Sequence, residues 1–388
     1  MLYTHMIETA ADLVGHLAGA SKNHSYTPEE LLRGIEGESI NAQGLADKFE
    51  ISRSSVHRAL DPLVDQYVLF NQNGMYSWTG LSEVYLKIFD NTLAGPSVTR
   101  PVLQFLFASP ARLPLLRSIR AAPATKAELS RGDDAPSRIT VYRNLSEFKD
   151  YGWITTDEEG KYVLTESGQT VLSSVNTLIK WADAAMAQAE VLYGCREIKD
   201  LPLEPLTEAE MYLDTPDTPH STASVARKLA DPSIETLYSM CSIVSYEYAD
   251  VWDPVIRSDT KIEMIITERV LRNLPTEGPY SEHVRRGLEA ENLTILVDPD
   301  LEYLPVGLGI IDGEILQFGT PHHNSTKNFD VGGMIVSEDP GLIEWGQNMY
   351  DRYRERARPP ASHVIERIKQ KVSESMSSTV PDSLSWRN

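Results

Sequence analysis

Cysteine is almost absent from this sequence. Among 388 residues only Cys195 and Cys241 occur, far apart and outside any metal-ligand spacing, which excludes a disulfide framework and a zinc ribbon. Long apolar runs are missing as well: no stretch reaches the roughly 18 residues that a membrane-spanning helix requires. The first residues, MLYTHMIETAADLVGHLAGA, carry Glu8 and Asp12 where a secretory signal needs a basic start and a clean apolar core. They read instead as an amphipathic helix of a cytoplasmic protein without a membrane partner. Phosphate-cradling loops of the GxGxxG or GxxxxGK[ST] kind and a GxSxG nucleophile elbow are also absent, so no cofactor and no metal is expected. Positive charge is the last shortage: 36 Lys and Arg face 56 Asp and Glu, a formal net charge of −20.

What is present is ordinary for a globular chain. With 41% hydrophobic and 24% charged residues the sequence can bury a core, and its length suggests two to four domains. Residues 28 to 78 show a compact rhythm. PEELLRGIEG (28–37) places Leu31, Leu32 and Ile35 on one helical face, and INAQGLADKFE (40–50) reads as a second short helix. Ser52 is a natural N-cap for a third helix, RSSVHRALDPLVDQY, whose Val56, Leu60, Leu63 and Val64 form an apolar stripe and whose Pro62 predicts a bend. VLF, NQNG and MYSW (68–78) then spell a short β-hairpin. Three helices followed by a hairpin are the parts of a winged helix-turn-helix, which sets the start of its third helix in the major groove. The competing reading is a helical protein-interaction domain.

The pattern then occurs a second time. SPARLPLLRSIRAAP (109–123) and ATKAELSRGDD (124–134) precede SRITVYRNLSEFKDYGW (137–153), expected to bury Ile139 or Val141, with Leu145, Phe148 and Trp153. A hairpin with the turn DEEG follows, and Thr165 opens a long helix over 166–193. Both copies read Ser-Arg-x-x-Val-aromatic-Arg-x-Leu or its near equivalent, then a hairpin, a Tyr and a capping Thr. Self-similarity over a whole module is hard to obtain by chance. Expected DNA-contacting residues are Ser52, Arg53, Ser54, Ser55, His57 and Arg58 in the first copy, and Ser137, Arg138, Thr140, Tyr142, Arg143 and Asn144 in the second. The acidic DEEG turn argues that the second copy uses its helix alone. Two helices are candidates for self-association, 6–19 (Met6, Ile7, Ala10, Leu13, Val14, Leu17) and 166–193; burial in the chain's own core is the alternative.

A net charge of −20 sits awkwardly with DNA, since phosphate neutralisation supplies much of the affinity. Basic recognition helices answer this locally. Molar salt answers it globally, because the Debye length falls to about 3 Å there, and a haloarchaeal source accounts for both.

After closely spaced prolines at 199–208, read as a linker, strands and helices alternate. Strands are expected at 209–215, 235–244, 261–267, 292–298, 303–312, 314–321 and 331–338, with Asp312-Gly313 a hairpin turn. Helices are expected at 222–231, 248–258, 281–291 and 340–360, with a weak one at 363–372. This implies an α/β layer on a largely parallel sheet finished by an antiparallel run. Ligand-contact candidates at strand ends are Ser245, Tyr246, Glu247 and Glu268, together with His322 and His323 in a loop that also holds Asn324 and Asp330. No titratable constellation suited to catalysis is found, so no catalytic residue is named.

SPARLPLLRSI, SRITVYRNLSEFKDYGWI and GKYVLTESG, with VGGMIVSEDPGLIEWGQNMYDRYRERARPP at 331–360, resemble an archaeal family of winged helix-turn-helix regulators. That family's C-terminal domain is named after a methanogenesis and filament-formation regulator. The resemblance covers about residues 105 to 360; residues 1–98 resemble an additional module of haloarchaeal relatives. It implies a sensor domain like a single half of the phospholipase D fold, although His323-Asn324-Ser325 breaks the His-x-Lys pattern hydrolysis needs. The fold class expected is therefore α+β and α/β multidomain: two winged helix-turn-helix modules, 1–98 and 99–198, an α/β sensor or dimerisation domain, 199–372, and a disordered tail, 373–388. The function expected is a DNA-binding transcriptional regulator, not an enzyme. It would act on promoter or operator DNA as a homodimer, with a small-molecule effector possible. The alternative is an enzyme acting from residues 209–360.

Overall fold

The structure, a computed structural model, describes residues 7–19, 26–132, 135–241, 246–274, 276–277, 280–320 and 333–378. The chain forms two compact units, divided between Ala187 and Gln188.

The first unit opens with α1 (Ala10–Leu17), α2 (Pro28–Arg33), β1 (Ile40–Asn41), α3 (Ala42–Lys48), α4 (Arg53–Asp65), β2 (Leu69–Gln72) and β3 (Met75–Trp78). Two connecting helices, α5 (Gly80–Leu93) and α6 (Arg100–Phe107), lead to α7 (Arg112–Ala121), α8 (Lys126–Leu129), α9 (Arg138–Asp150), β4 (Ile154–Thr156), β5 (Tyr162–Leu164) and α10 (Glu166–Ala187). α4 continues through Asp65 with Pro62 inside it.

α5 and α10 bind the two halves of this unit into one core. α5 buries residues on nearly every side, including Leu81, Val84, Tyr85, Ile88 and Phe89, and the Tyr85 hydroxyl donates to the Ala182 carbonyl at 3.2 Å. α1 lays Ala10, Leu13, Val14 and Leu17 against this core, and α10 contributes Val171, Leu172, Val175, Leu178 and Ala182. Both stripes considered for self-association are thus occupied within the chain. Residues 1–187 form one compact unit, in which the helices that follow each hairpin pack on one another.

The second unit runs α11 (Ala189–Leu192), α12 (Leu203–Leu206), β6 (Glu210–Leu213), α13 (Ser221–Leu229), β7 (Thr236–Cys241), α14 (Tyr246–Ile256), β8 (Lys261–Thr267), α15 (Glu268–Arg272), α16 (Tyr280–Glu289), β9 (Leu293–Asp298), β10 (Gly307–Ile311), β11 (Ile315–Gly319), β12 (Gly333–Ser337), α17 (Pro340–Arg354) and α18 (Ser362–Ser378). Among the described residues these strands form one sheet in the order β6-β12-β11-β10-β7-β8-β9. Only β7–β8 and β8–β9 are parallel; the other pairings are antiparallel. The expected antiparallel finish is present in β10, β11 and β12, but with two parallel pairings the sheet is mixed and not largely parallel. Local alternation marks a strand but does not specify its distant partner.

Strand alternation divides the core. Leu237, Ile262, Ile311 and Met334 pack with Ala226, Val251 and Val255 of α13 and α14. On the opposite face Tyr238 meets Tyr350 of α17, with ring centroids 5.4 Å apart. The segment read as a linker is a packed entry into this unit: Leu201, Leu203 and Leu206 are buried, and the Gln188 side chain donates to the Leu206 carbonyl at 2.8 Å. Residues 373–378, placed in a disordered tail, continue α18, whose Ile368 and Val372 are buried in the cluster that includes Val284 of α16.

Candidate nucleic-acid interface

The similarity between 52–79 and 137–165 extends to backbone detail. α4 and α9 each start behind a serine whose hydroxyl accepts from the third helical residue, Ser52 from Ser55 N at 3.1 Å and Ser137 from Thr140 N at 3.2 Å. Both helices end in a turn with a left-handed residue, Tyr67 (φ 62°) and Gly152 (φ 71°). In both, the next amide returns to the helix, Val68 N to Leu63 O and Trp153 N to Phe148 O, each at 2.9 Å. The threonine after each hairpin closes the unit, with Thr79 Oγ1 donating to Tyr67 O at 2.9 Å and Thr165 Oγ1 to Gly152 O at 2.6 Å. Even the short third strand is shared: Ile40 pairs with Tyr76, and Ala124 forms an isolated antiparallel bridge with Tyr162. That element escapes sequence reading because two residues carry no periodicity.

Within this frame the expected contact residues separate into groups. Ser52 and Ser137 are exposed but serve as caps, and Ser54 and Ser55 share hydrogen bonds with the Ser52 hydroxyl at 2.8 and 2.9 Å. Arg53, Arg58, Arg138 and Arg143 are exposed, and among the described residues none of them pairs with a carboxylate. This matters in so acidic a chain, where Arg33, Arg112, Arg257, Arg272, Arg285 and Arg286 all hold carboxylates. Four guanidiniums at two matched pairs of positions are left to water or to an external anion.

His57 lies half-buried at the hairpin side of α4. Its Nδ1 stands 3.0 Å from the Tyr76 hydroxyl and 3.3 Å from Asp61, and the Tyr76 hydroxyl donates to Asp61 at 2.7 Å. Burial, and then the Asp61 carboxylate, push the Tyr76 phenol well above its ordinary range, so it remains a donor. The network ties helix to hairpin. Tyr142 takes the matching place in α9, yet it is 62% exposed, with Lys126 Nζ of α8 4.3 Å from its ring centre. Ile139 is 82% exposed and Val141 is the buried member of that pair.

Asn144 must be removed from the expected contacts. It is fully buried, and its Oδ1 accepts from Arg112 Nε at 3.3 Å. Arg112 in turn reaches Glu147 at 2.8 Å, donates to the Phe105 carbonyl and lies 3.7 Å above the Phe105 ring. The signal was present in the sequence: Asn144 stands three residues after Val141 and four before Phe148, on the inward stripe.

The hairpin tips differ in charge. The first, Asn71 to Gly74, carries none. In the second, Asp157 Oδ1 accepts from the amides of Glu159 and Lys161 at 3.0 and 2.8 Å, and Lys161 Nζ pairs with Glu159 at 2.8 Å. Glu158 completes an acidic tip.

In the second unit fewer candidates can be placed. Ser245, His322 and His323 lie outside the described residues, and of Tyr246 only its place at the start of α14 is described. Glu268 opens α15 and pairs with Arg272 at 2.7 Å. Glu247 pairs with His220 at 2.7 Å. An open groove of about 760 Å³ lies elsewhere, between the β10–β11 turn and α17, with Glu314, Glu338 and Glu344 on its walls. Among the described residues no cluster of His, Cys, Asp and Glu is arranged to hold a metal ion, and no helix is long and apolar enough to cross a membrane.

Residues 100–187 match the family described as the HVO_A0261 N-terminal domain. Residues 219–356 match the middle domain of the methanogenesis regulatory protein FilR1. The second unit thus matches a domain of a regulatory protein. No curated protein matches the chain. Among solved structures, the archaeal chromatin protein TrmBL2, whose structure shows a novel mode of DNA binding, is 15% identical; the match covers 64% of this chain and 92% of that one at a TM-score of 0.30. NUC from Salmonella typhimurium, a phospholipase D family member, is 13% identical, over 40% of this chain and 98% of that one at a TM-score of 0.31. NucT from Helicobacter pylori is 15% identical over 39% and 99% at 0.30.

Proposed function

We propose that the protein is an archaeal, haloarchaeal-type transcription regulator that binds double-stranded promoter or operator DNA through two winged helix-turn-helix modules. The observation carrying this reading is the doubled set of exposed arginines without carboxylate partners among the described residues, Arg53 with Arg58 and Arg138 with Arg143, each pair within the first two turns of the third helix of a helix-turn-helix followed by a hairpin. Two arginines five residues apart on such a helix suit phosphates or guanine edges. The match of residues 219–356 to a regulatory protein's middle domain supports the same reading. In this proposal the first module spans 1–98 and the second 99–198, and the α/β domain from 199 onward, akin to a single phospholipase D-like half, senses an effector or forms a homodimer. Ser245, Tyr246, Glu268, His322 and His323 are its proposed effector contacts. The chain is proposed not to be an enzyme and to work in the cytoplasm.

Chromatin immunoprecipitation and sequencing in the native host tests this without a guess about operator or salt. Sharp peaks upstream of genes that vanish in an Arg138→Ala, Arg143→Ala double variant are expected if the second module reads. Loss only with Arg53→Ala and Arg58→Ala assigns the reading to the first. Each base-reading arginine should contribute about 1–3 kcal/mol of specific affinity. An absence of enrichment under several growth conditions sinks the regulator reading.

A further inference from the structure

We infer that the second module recognises thymine methyl groups through Ile139 and Tyr142, an inference that rests on the DNA-binding reading above. At 82% and 62% exposure these are the two most exposed large hydrophobic side chains among the described residues. Their i, i+3 spacing puts them side by side on α9, and Arg143 adjoins Ile139 at i+4. Arg138 precedes the pair. The strip is therefore an apolar stretch framed by two guanidiniums, while Lys126 Nζ sits 4.3 Å from the Tyr142 ring centre on its α8 side.

The first module supplies the control. Its matching positions carry Ser54 and His57, polar residues framed by the matching arginines, Arg53 and Arg58. The arginine spacing is common to both copies, and the apolar character is confined to the positions between. An exposed Ile and Tyr gain nothing from water, and the interior is already served by Val141, Leu145 and Phe148. In the major groove the one apolar group that a base edge offers is the thymine C5-methyl, and arginine meets guanine O6 and N7 beside it. The same backbone with two exchanged side chains would thus read thymine next to guanine in the second copy and polar edges in the first.

The test uses the full-length chain to select duplexes from a random pool in low and in molar potassium chloride, alongside Ile139→Ser and Tyr142→His, which install the first module's residues. Both sites are exposed, and unchanged thermal denaturation of the variants verifies folding. The wild type is expected to enrich a motif with an invariant thymine that the variants no longer require. Replacing that thymine by uracil, which lacks only the methyl, should weaken wild-type binding roughly 3- to 10-fold, as expected for one buried methyl, and leave the variants unchanged. Equal wild-type affinity for thymine and uracil at every enriched position overturns the inference and leaves the DNA reading standing. So does an unaltered motif in variants whose self-association has changed, which would assign the strip to contact with a second copy. A chain that retains duplexes without selecting a sequence overturns this inference and the operator reading and leaves sequence-independent DNA binding, and one that retains no duplex removes the DNA reading as well.

Discussion

The two halves of the first unit share a backbone and differ in what they expose. In the module of α3, α4 and the β2–β3 hairpin, the exposed face at the start of α4 is polar, the hairpin tip uncharged, and His57 is tied to Tyr76 and Asp61. In the module of α8, α9 and the β4–β5 hairpin, the face is part apolar, the tip acidic, and Tyr142 stands free of such a network. The caps, the left-handed turn and the returning amide are alike in both. The shared hydrogen bonds show what the arrangement needs in order to form. The unshared side chains are therefore free to set the ligand, and the two copies need not perform the same task.

The largest effect should come from the buried position where the copies differ most. Ala59 in α4 corresponds to Asn144 in α9, and only the latter is linked to an inserted arginine, Arg112. Arg112→Ala leaves Asn144 buried and Glu147 half-buried without their partner and removes the contact with Phe105. A loss of about 3 kcal/mol is expected, measured as a lower denaturation midpoint of the full chain. Among the described residues Asn144 Nδ2 already lacks a hydrogen-bond partner. Asn144→Ala combined with Arg112→Leu, which makes the site apolar throughout, should therefore recover much of that loss. If the single variant costs nothing, the two modules do not differ in their cores and the comparison fails at its base.

Next in size is the charge of the hairpin tips. Glu158→Lys with Glu159→Lys should raise affinity for a DNA duplex at low salt and steepen the salt dependence by about one unit for each lysine that meets a phosphate. Gln72→Glu should act the opposite way if the uncharged tip lies against the backbone. Both effects should fade in molar salt, where exposed charges are screened within about 3 Å. Binding titrations over a salt series check this. A flat response to the lysines would mean that the second hairpin points away from DNA and that its acidity has no bearing on it.

A smaller contrast is pH-dependent. His16 of α1 reaches the Ala59 carbonyl at 2.7 Å and is half-buried, and its desolvation lowers its pKa below the ordinary 6.5. Its folded-state pKa is depressed, so the folded chain refuses a proton that the unfolded chain accepts. The stability contribution is intact above 6.5 and is lost as the pH falls from there toward the depressed value. His16→Gln should flatten this acid limb while leaving stability at alkaline pH nearly unchanged. Denaturation midpoints across the pH range decide it; an acid limb that persists in the variant assigns it to other groups.

Much of this contrast was legible in the sequence, and the remainder was hidden for physical reasons. Ser52 and Ser137 as caps, the Val56 and Val141 stripes and both hairpins follow from local chemistry and period. The packing of α5 and α10 was not legible, because a helix buried on nearly every side, as α5 is, has no polar face to betray which neighbour it seeks. The bond from Arg112 to Asn144 joins residues on separate helices, and nothing local to either announces it. Which strands neighbour one another in the second unit was hidden likewise: β7 alternates in the same way whether its neighbour is parallel β8 or antiparallel β10.

The smallest effect tests the turn that the copies share. Tyr67 and Gly152 both hold positive φ, 62° and 71°, between the third helix and the hairpin. A Cβ added at Gly152 would meet nothing within 4 Å, so Gly152→Ala isolates backbone strain from packing. A left-handed alanine costs about 1 kcal/mol, and a fall of that size in unfolding free energy is expected with DNA binding unaltered. Asparagine tolerates this conformation better, so Gly152→Asn should cost less than Gly152→Ala. A neutral alanine would mean that the turn relaxes away from its left-handed form. The geometry common to the two copies would then be a consequence of their helices and hairpins and not a requirement placed on that residue.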